Sequence, residues 1–93
     1  MDANAVIRLP EKVTFETAPA ALEAAAGALG AGTRQVDLAA CTEFDSSLIA
    51  VLLDLRRRAA AAGGSCSIGD PPANLRKLAA LYGVDGLLFD QRN

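Results

Sequence analysis

Residues 34–68 read RQVDLAACTEFDSSLIAVLLDLRRRAAAAGGSCSI and contain the clearest structural pattern of the chain. From Arg34 to Ala40 every second residue is apolar and shares one face, as in a strand, beginning with Val36. Ser65 to Ile68 shows the same alternation over a shorter length, with Cys66 and Ile68 on one face. Between them, Ser46 to Ala62 carries apolar residues at helical spacing and ends at Gly63-Gly64. A strand–helix–strand unit is connected by a right-handed crossover, which predicts that the two strands are parallel in one sheet.

The residues before this unit extend the α/β pattern toward the N-terminus. Ala5 to Leu9 and Lys12 to Phe15 are short strand-like runs, and Pro10-Glu11 between them predicts a tight turn and an opening hairpin. A first helix is expected to begin at Thr17, as its N-cap, and to end at Gly30.

The residues after the unit predict one more helix and one more strand. A third helix is expected after Pro71-Pro72, because the following apolar residues lie at i, i+3, i+4 and i+7 from Leu75. Leu87 to Phe89 is expected to be a last short strand. The predicted order is β-β-α-β-α-β-α-β, in a single domain over residues 1–93. It predicts an α/β sandwich whose central sheet is mixed, mostly parallel and covered by helices.

The composition argues against catalysis and against nucleic-acid binding. The chain of 93 residues has no histidine, so it lacks the commonest metal ligand and the side chain best suited to proton transfer near neutral pH. Its net charge of −2 gives no basic stripe for nucleic acid. Cys41 is the nearest candidate nucleophile, but no histidine is available to activate it. We expect no enzyme activity, no cofactor and no bound metal.

The cysteine count and the hydropathy predict the compartment. Cys41 and Cys66 lie outside any CxxC spacing, which suits buried thiols in a reducing environment. The longest apolar stretch, Leu48 to Leu53, is far shorter than the ~20 residues of a membrane helix. The N-terminus resembles no secretory signal. We expect a cytoplasmic protein without direct membrane insertion.

The central helix carries more apolar surface than a sheet face normally covers. One stripe around Leu48, Leu52 and Leu55 is typical of a core-facing side. Ile49 and Leu53 lie on a second stripe beside it. Two interpretations remain open: these residues pack against a neighbouring helix, or they form a docking patch rimmed by charged residues, Asp54, Arg56 and Arg57.

Two motifs resemble the STAS domain family, which includes anti-sigma factor antagonists and the small MlaB-like subunits of phospholipid-transporting ABC systems. Asp45-Ser46-Ser47 matches the family pattern that opens a helix after a strand, although Leu48 stands where the family has glycine. Asn74 to Val84, with its Leu-Tyr-Gly segment, is similar to the closing helix of the MlaB-like branch. The resemblance spans roughly residues 5–88 and implies a STAS-like sandwich.

The resemblance implies a non-enzymatic interaction module that binds and stabilises or regulates an ABC transporter ATPase, in the maintenance of outer-membrane lipid asymmetry. Such a protein would reach the inner membrane only through its partner. The alternative that it implies is an anti-sigma factor antagonist, which a serine kinase switches by phosphorylating Ser47. In the MlaB-like branch the corresponding regulatory hydroxyl is Ser46, and Asp45 completes this group. The predicted partner-binding residues are Phe44, Ser46, Ser47, Ile49, Leu53, Arg56 and Arg57.

Overall fold

The structure is a computed structural model that describes residues 6–89. In chain order, its elements are β1 (Val6–Arg8), β2 (Lys12–Val13), α1 (Ala18–Ala26), β3 (Thr33–Asp37), β4 (Glu43–Phe44), α2 (Ser47–Ala61), β5 (Ser65–Gly69), α3 (Ala73–Leu81) and α4 (Asp85–Leu88). This mixture of parallel strands and helices confirms the predicted STAS-like α/β fold class.

The strands form two sheets, and every pair among the described residues is parallel. The larger sheet has the order β1-β3-β5, with Val36 of β3 opposite both Ile7 and Ile68. The smaller sheet pairs β2 with β4 and places Val13 opposite Phe44. The predicted strand–helix–strand unit is therefore confirmed: β3 and β5 are adjacent and parallel, and α2 connects them.

One face of the larger sheet belongs to the core. Ile7, Val36 and Cys66 are buried, whereas Gln35 and Ser67, which alternate with Val36 and Cys66, are exposed. This alternation is typical of a sheet with one buried and one solvated face.

Helix α2 supplies the largest share of the core. It packs against α1, β5 and α4. Its buried side chains are Leu48, Ile49, Val51, Leu52, Leu55 and Ala59. Both ends of α2 lie within one residue of the predicted bounds, and Gly63, with a φ of 85°, turns the chain after it.

The predicted opening hairpin is wrong. β1 pairs with β3, and β2 pairs with β4. Each of the two short strands is therefore parallel to a strand later in the chain, and they do not pair with each other. Pro10 lies between them and has no N–H to continue a ladder, so the pairing breaks there and resumes in the second sheet. Ala5, the first residue of the predicted strand, lies outside the described residues.

The predicted last strand is also wrong, because Leu87 and Leu88 belong to the short helix α4. The carbonyl of Val84 accepts the N–H groups of Leu87 and Leu88, and the carbonyl of Asp85 accepts that of Phe89. Leu88 is fully buried while Leu87 is 62% exposed. Leu88 thus completes the core from a helical turn. A run of three residues is too short for its periodicity to distinguish a helix from a strand.

Candidate functional site

Asp45 organises the turn between β4 and α2. Its Oδ1 accepts the backbone N–H of Ser47 at 2.9 Å and the Ser47 hydroxyl, and its Oδ2 accepts the N–H of Phe15 at 3.0 Å. The N–H of Asp45 donates to the carbonyl of Val13 at 3.4 Å. The carboxylate therefore holds the chain that follows β2 against the first turn of α2.

The side-chain hydrogen bond at the start of α2 comes from Asp45 and not from the N-cap residue, Ser46. Ser46 occupies the N-cap position, with φ −64° and ψ −15°, but its side chain makes no capping bond within residues 6–89. Asp45 instead satisfies a free amide of the first turn, that of Ser47. The Ser46 side chain is consequently exposed to solvent at the positive end of the helix.

The hydrogen bonds of this turn lower the pKa of the Asp45 carboxyl. The largest cause is the bond from the Ser47 side chain, followed by the bonds from the backbone N–H groups of Ser47 and Phe15. These donors favour the ionised form. A fixed negative charge therefore lies beside the Ser47 hydroxyl at neutral pH.

The structure separates the predicted partner-binding residues by depth. Ile49 is only 5% exposed and is part of the core, so its side chain is not available to a partner. Leu53 and Phe44 are partly buried and pack against the core from its edge. The two interpretations of the second stripe thus apply to different residues: Ile49 packs inside, whereas Leu53 reaches the surface.

Leu53 lines an open groove of about 930 Å³ between α1 and α2. Leu22 of α1 lies on one side, and Leu87 of α4 and Phe15 also line the groove. Phe15 is 82% exposed and Leu87 is 62% exposed. A patch of this kind on a small domain is typical of an interaction surface. We call it the apolar groove and define it by Phe15, Leu22, Leu53 and Leu87.

Ser47 lines the apolar groove, which places the groove beside the Asp45 turn. The exposed Ser46 precedes Ser47 directly in the chain. The hydroxyl pair at the N-terminal end of α2 is therefore adjacent to the groove, which extends along the helix to Arg57.

Phe15 was missed as a site residue because strand periodicity places it on the same face as the buried Val13. The strand ends at Val13, however, and the chain then turns. The N–H of Thr14 donates to Thr17 Oγ1 at 2.9 Å, and that hydroxyl donates to the carbonyl of Lys12 at 2.9 Å. This turn directs Phe15 outward, and it also explains why Thr17 does not cap α1 with its side chain.

Charged residues of α2 border the apolar groove. Arg56 donates to the carbonyl of Leu88 at 3.1 Å and so fastens α4 to α2. Arg57 pairs with Asp54, and Arg58 Nε donates to the other oxygen of Asp54 at 3.0 Å. Asp54 thus faces two arginines, which leaves a net positive charge on this side of the helix.

The two cysteines have the surroundings of structural thiols. Both are free and buried. Burial raises the pKa of the Cys41 thiol, and it also raises that of Cys66 against a smaller opposing effect of Arg56. A raised pKa lowers the thiolate fraction at neutral pH and therefore the reactivity.

Residues 6–89 contain neither a metal-binding cluster nor a membrane-spanning helix. No group of three or more histidine, cysteine, aspartate or glutamate residues is arranged to hold a metal ion there. None of the helices in that range has the length and apolar character needed to cross a bilayer.

Comparison with protein families relates the chain to one group. The family model described as "Mlab, STAS domain" matches residues 1–89. Searches of curated proteins and of solved structures found no match.

Proposed function

Because this chain belongs to the MlaB-like family of STAS domains, we propose that it is a non-catalytic subunit which binds the ATPase of a phospholipid-transporting ABC system. Through this contact it stabilises or regulates the ATPase and contributes to outer-membrane lipid asymmetry. It acts in the cytoplasm and reaches the inner membrane through its partner.

The observation that carries this proposal is the surface at the N-terminal end of α2. Ser46 is exposed there, and the apolar groove with the largely exposed Phe15 and Leu87 lies beside it. The small hydroxyl permits close approach of a partner backbone, while the groove provides apolar area and the arginines of α2 a polar rim. An apolar centre with a polar rim is the usual composition of a protein interface.

A non-catalytic role agrees with the chemistry of the chain. The sequence contains no histidine, and both thiols are buried with raised pKa values. Histidine is therefore not available as a general base, and neither thiol is a ready nucleophile at neutral pH.

Co-purification of the chain with the ATPase subunit of a phospholipid-transporting ABC system from the same organism tests the proposal. Phe15→Asp places a charge in the apolar groove at a position that is 82% exposed, so we expect lost binding and unchanged thermal stability. Leu81→Asp is the matched control, because Leu81 is 79% exposed and lies outside the groove. Equal binding by the wild type and both variants would remove the apolar groove from the interface, and absence of any complex would remove the ATPase as partner.

Ser46 is tested by the same assay. Ser46→Arg introduces a long side chain at the centre of the proposed contact, and we expect it to abolish co-purification. Ala80→Arg introduces the same side chain at an exposed position of α3 outside the apolar groove and should bind normally. Retained binding by Ser46→Arg would move the contact away from the Asp45 turn.

The alternative function, an anti-sigma factor antagonist, requires phosphorylation of Ser47 by a serine kinase. The helix N-terminus favours a phosphate electrostatically, but the Ser47 hydroxyl is bonded to the Asp45 carboxylate, and a phosphate would add up to two negative charges beside it. Incubation with the kinase distinguishes the two functions: a stoichiometric phosphate on Ser47 supports the antagonist.

A further inference from the structure

Strand β5 has an edge to which no strand in residues 6–89 is added. The larger sheet ends with β5, since the order is β1-β3-β5 and the expected last strand is the helix α4. An exposed edge presents unpaired N–H and C=O groups that can pair with another chain.

The backbone geometry identifies which groups lie at this edge. The N–H of Ser65 donates to the carbonyl of Gly32, on the side of β3. Because backbone groups alternate in direction along a strand, the N–H and C=O groups of Cys66 and Ile68 point to the opposite, open edge. Two donors and two acceptors thus point toward this edge at the spacing of a strand, and Ile68 is the more exposed of the two residues.

A groove of about 440 Å³ runs along this edge and is basic. Residues of β5 line one side, and Arg56 of α2, Arg76 of α3 and Phe89 line the rest. The Arg76 guanidinium lies over the ring of Phe89, 5.4 Å from its centroid, and Arg56 donates to the carbonyl of Leu88. Both arginines are therefore held in place by the segment that follows α3. No acidic side chain among the described residues lines this groove.

We infer that the β5 edge binds an extended, acidic segment of a partner protein by strand addition. The main-chain groups of Cys66 and Ile68 pair with the backbone of the segment, and Arg56 and Arg76 pair with its carboxylates. A second copy of this chain fits less well, because β5 has no acidic side chain to offer the arginines of the first. Arg56 borders both this groove and the apolar groove, whereas Arg76 and the residues of β5 lie outside the apolar groove, so Arg76 tests this site separately from the proposed ATPase contact.

Two blocked octapeptides test this inference by nuclear magnetic resonance on the full chain: one of alternating threonine and glutamate, the other of alternating threonine and lysine. We expect the glutamate peptide to shift the amide signals of Cys66 and Ile68 with saturation, and the lysine peptide to bind at least about tenfold more weakly. Arg76→Glu should weaken binding of the glutamate peptide by about tenfold.

Lys77→Glu is the matched control, because it makes the same kind of charge reversal on α3 at an exposed residue outside the groove. It should change binding by less than about twofold, and thermal melting of both variants should show that α3 and α4 remain packed. Equal binding of the two peptides, or equal losses in both variants, would overturn the inference.

Hydrogen exchange of the free chain tests the other possible occupants. Rapid exchange at Cys66 and Ile68 is expected for an open edge. Protection that does not depend on protein concentration would mean that another part of this chain covers the edge. Protection that rises with concentration would mean that a second copy does, and either result would overturn the inference.

Discussion

Ile49→Ala tests whether α2 is divided into a core side and a partner side. Ile49 is 5% exposed, so the substitution removes buried methyl and methylene groups from a packed core. Such truncations cost about 2–5 kcal/mol, and we expect about 3 kcal/mol here. For a domain of 93 residues, this corresponds to a fall in Tm of roughly 15 °C. Urea unfolding followed by circular dichroism measures the loss directly.

Leu53→Ala is the companion variant, because Leu53 lies only one turn further along α2 but is partly exposed. We expect it to cost about 1 kcal/mol of stability and to weaken the complex with the ATPase. Ile49→Ala should bind normally at temperatures where it is folded. The reasoning is refuted if Ile49→Ala unfolds like the wild type while losing its partner, because Ile49 would then be a surface residue.

Three further outcomes are expected. Gly64→Ala should destabilise the fold by about 2 kcal/mol or more in urea unfolding, since its Cβ would overlap the backbone carbonyl oxygens of Gly32 and Gly30. The lowered pKa of Asp45 contributes stability that is fully present above its ordinary value of 3.8 and is lost as the pH falls through the folded-state pKa. The free energy of unfolding of Asp45→Asn should therefore fall less than that of the wild type as the pH is lowered through this range. Cys41 and Cys66 should react slowly with iodoacetamide at pH 7 and rapidly in urea, and fast labelling of the folded chain would contradict their burial.

The central unit could be predicted because its pattern repeats. Helix α2 presents four turns of apolar spacing and ends at a glycine pair, and it was expected at Ser46–Ala62 and observed at Ser47–Ala61. Strand β5 was expected at Ser65–Ile68 and ends one residue later. Long periodic elements contain many independent indications of the same structure, so single residues do not alter the result.

The short elements could not be predicted, because their structure depends on distant partners. Nothing near β1 indicates that Val6 pairs with Gln35 and not with the strand that follows it. Leu87 and Leu88 belong to a run too short to show a period. Phe15 is exposed because a turn follows Val13, and that turn depends on the Thr17 hydroxyl. The centre of the site, Asp45 to Ser47, could therefore be recognised in the sequence. Phe15 and Leu87, which are half of the residues that define the apolar groove, could be placed there only from the fold.

The all-parallel pairing also affects the order in which the chain can acquire structure. No described strand pairs with its immediate neighbour in the chain, so β1 leaves the ribosome with nothing to bind until α1 and β3 have been synthesised. The unit from β3 to β5 is contiguous in sequence and includes α2 with all of its buried side chains. We expect it to form first and the N-terminal strand to add last. Such non-local pairing is typical of slower folding than in helical domains of equal size.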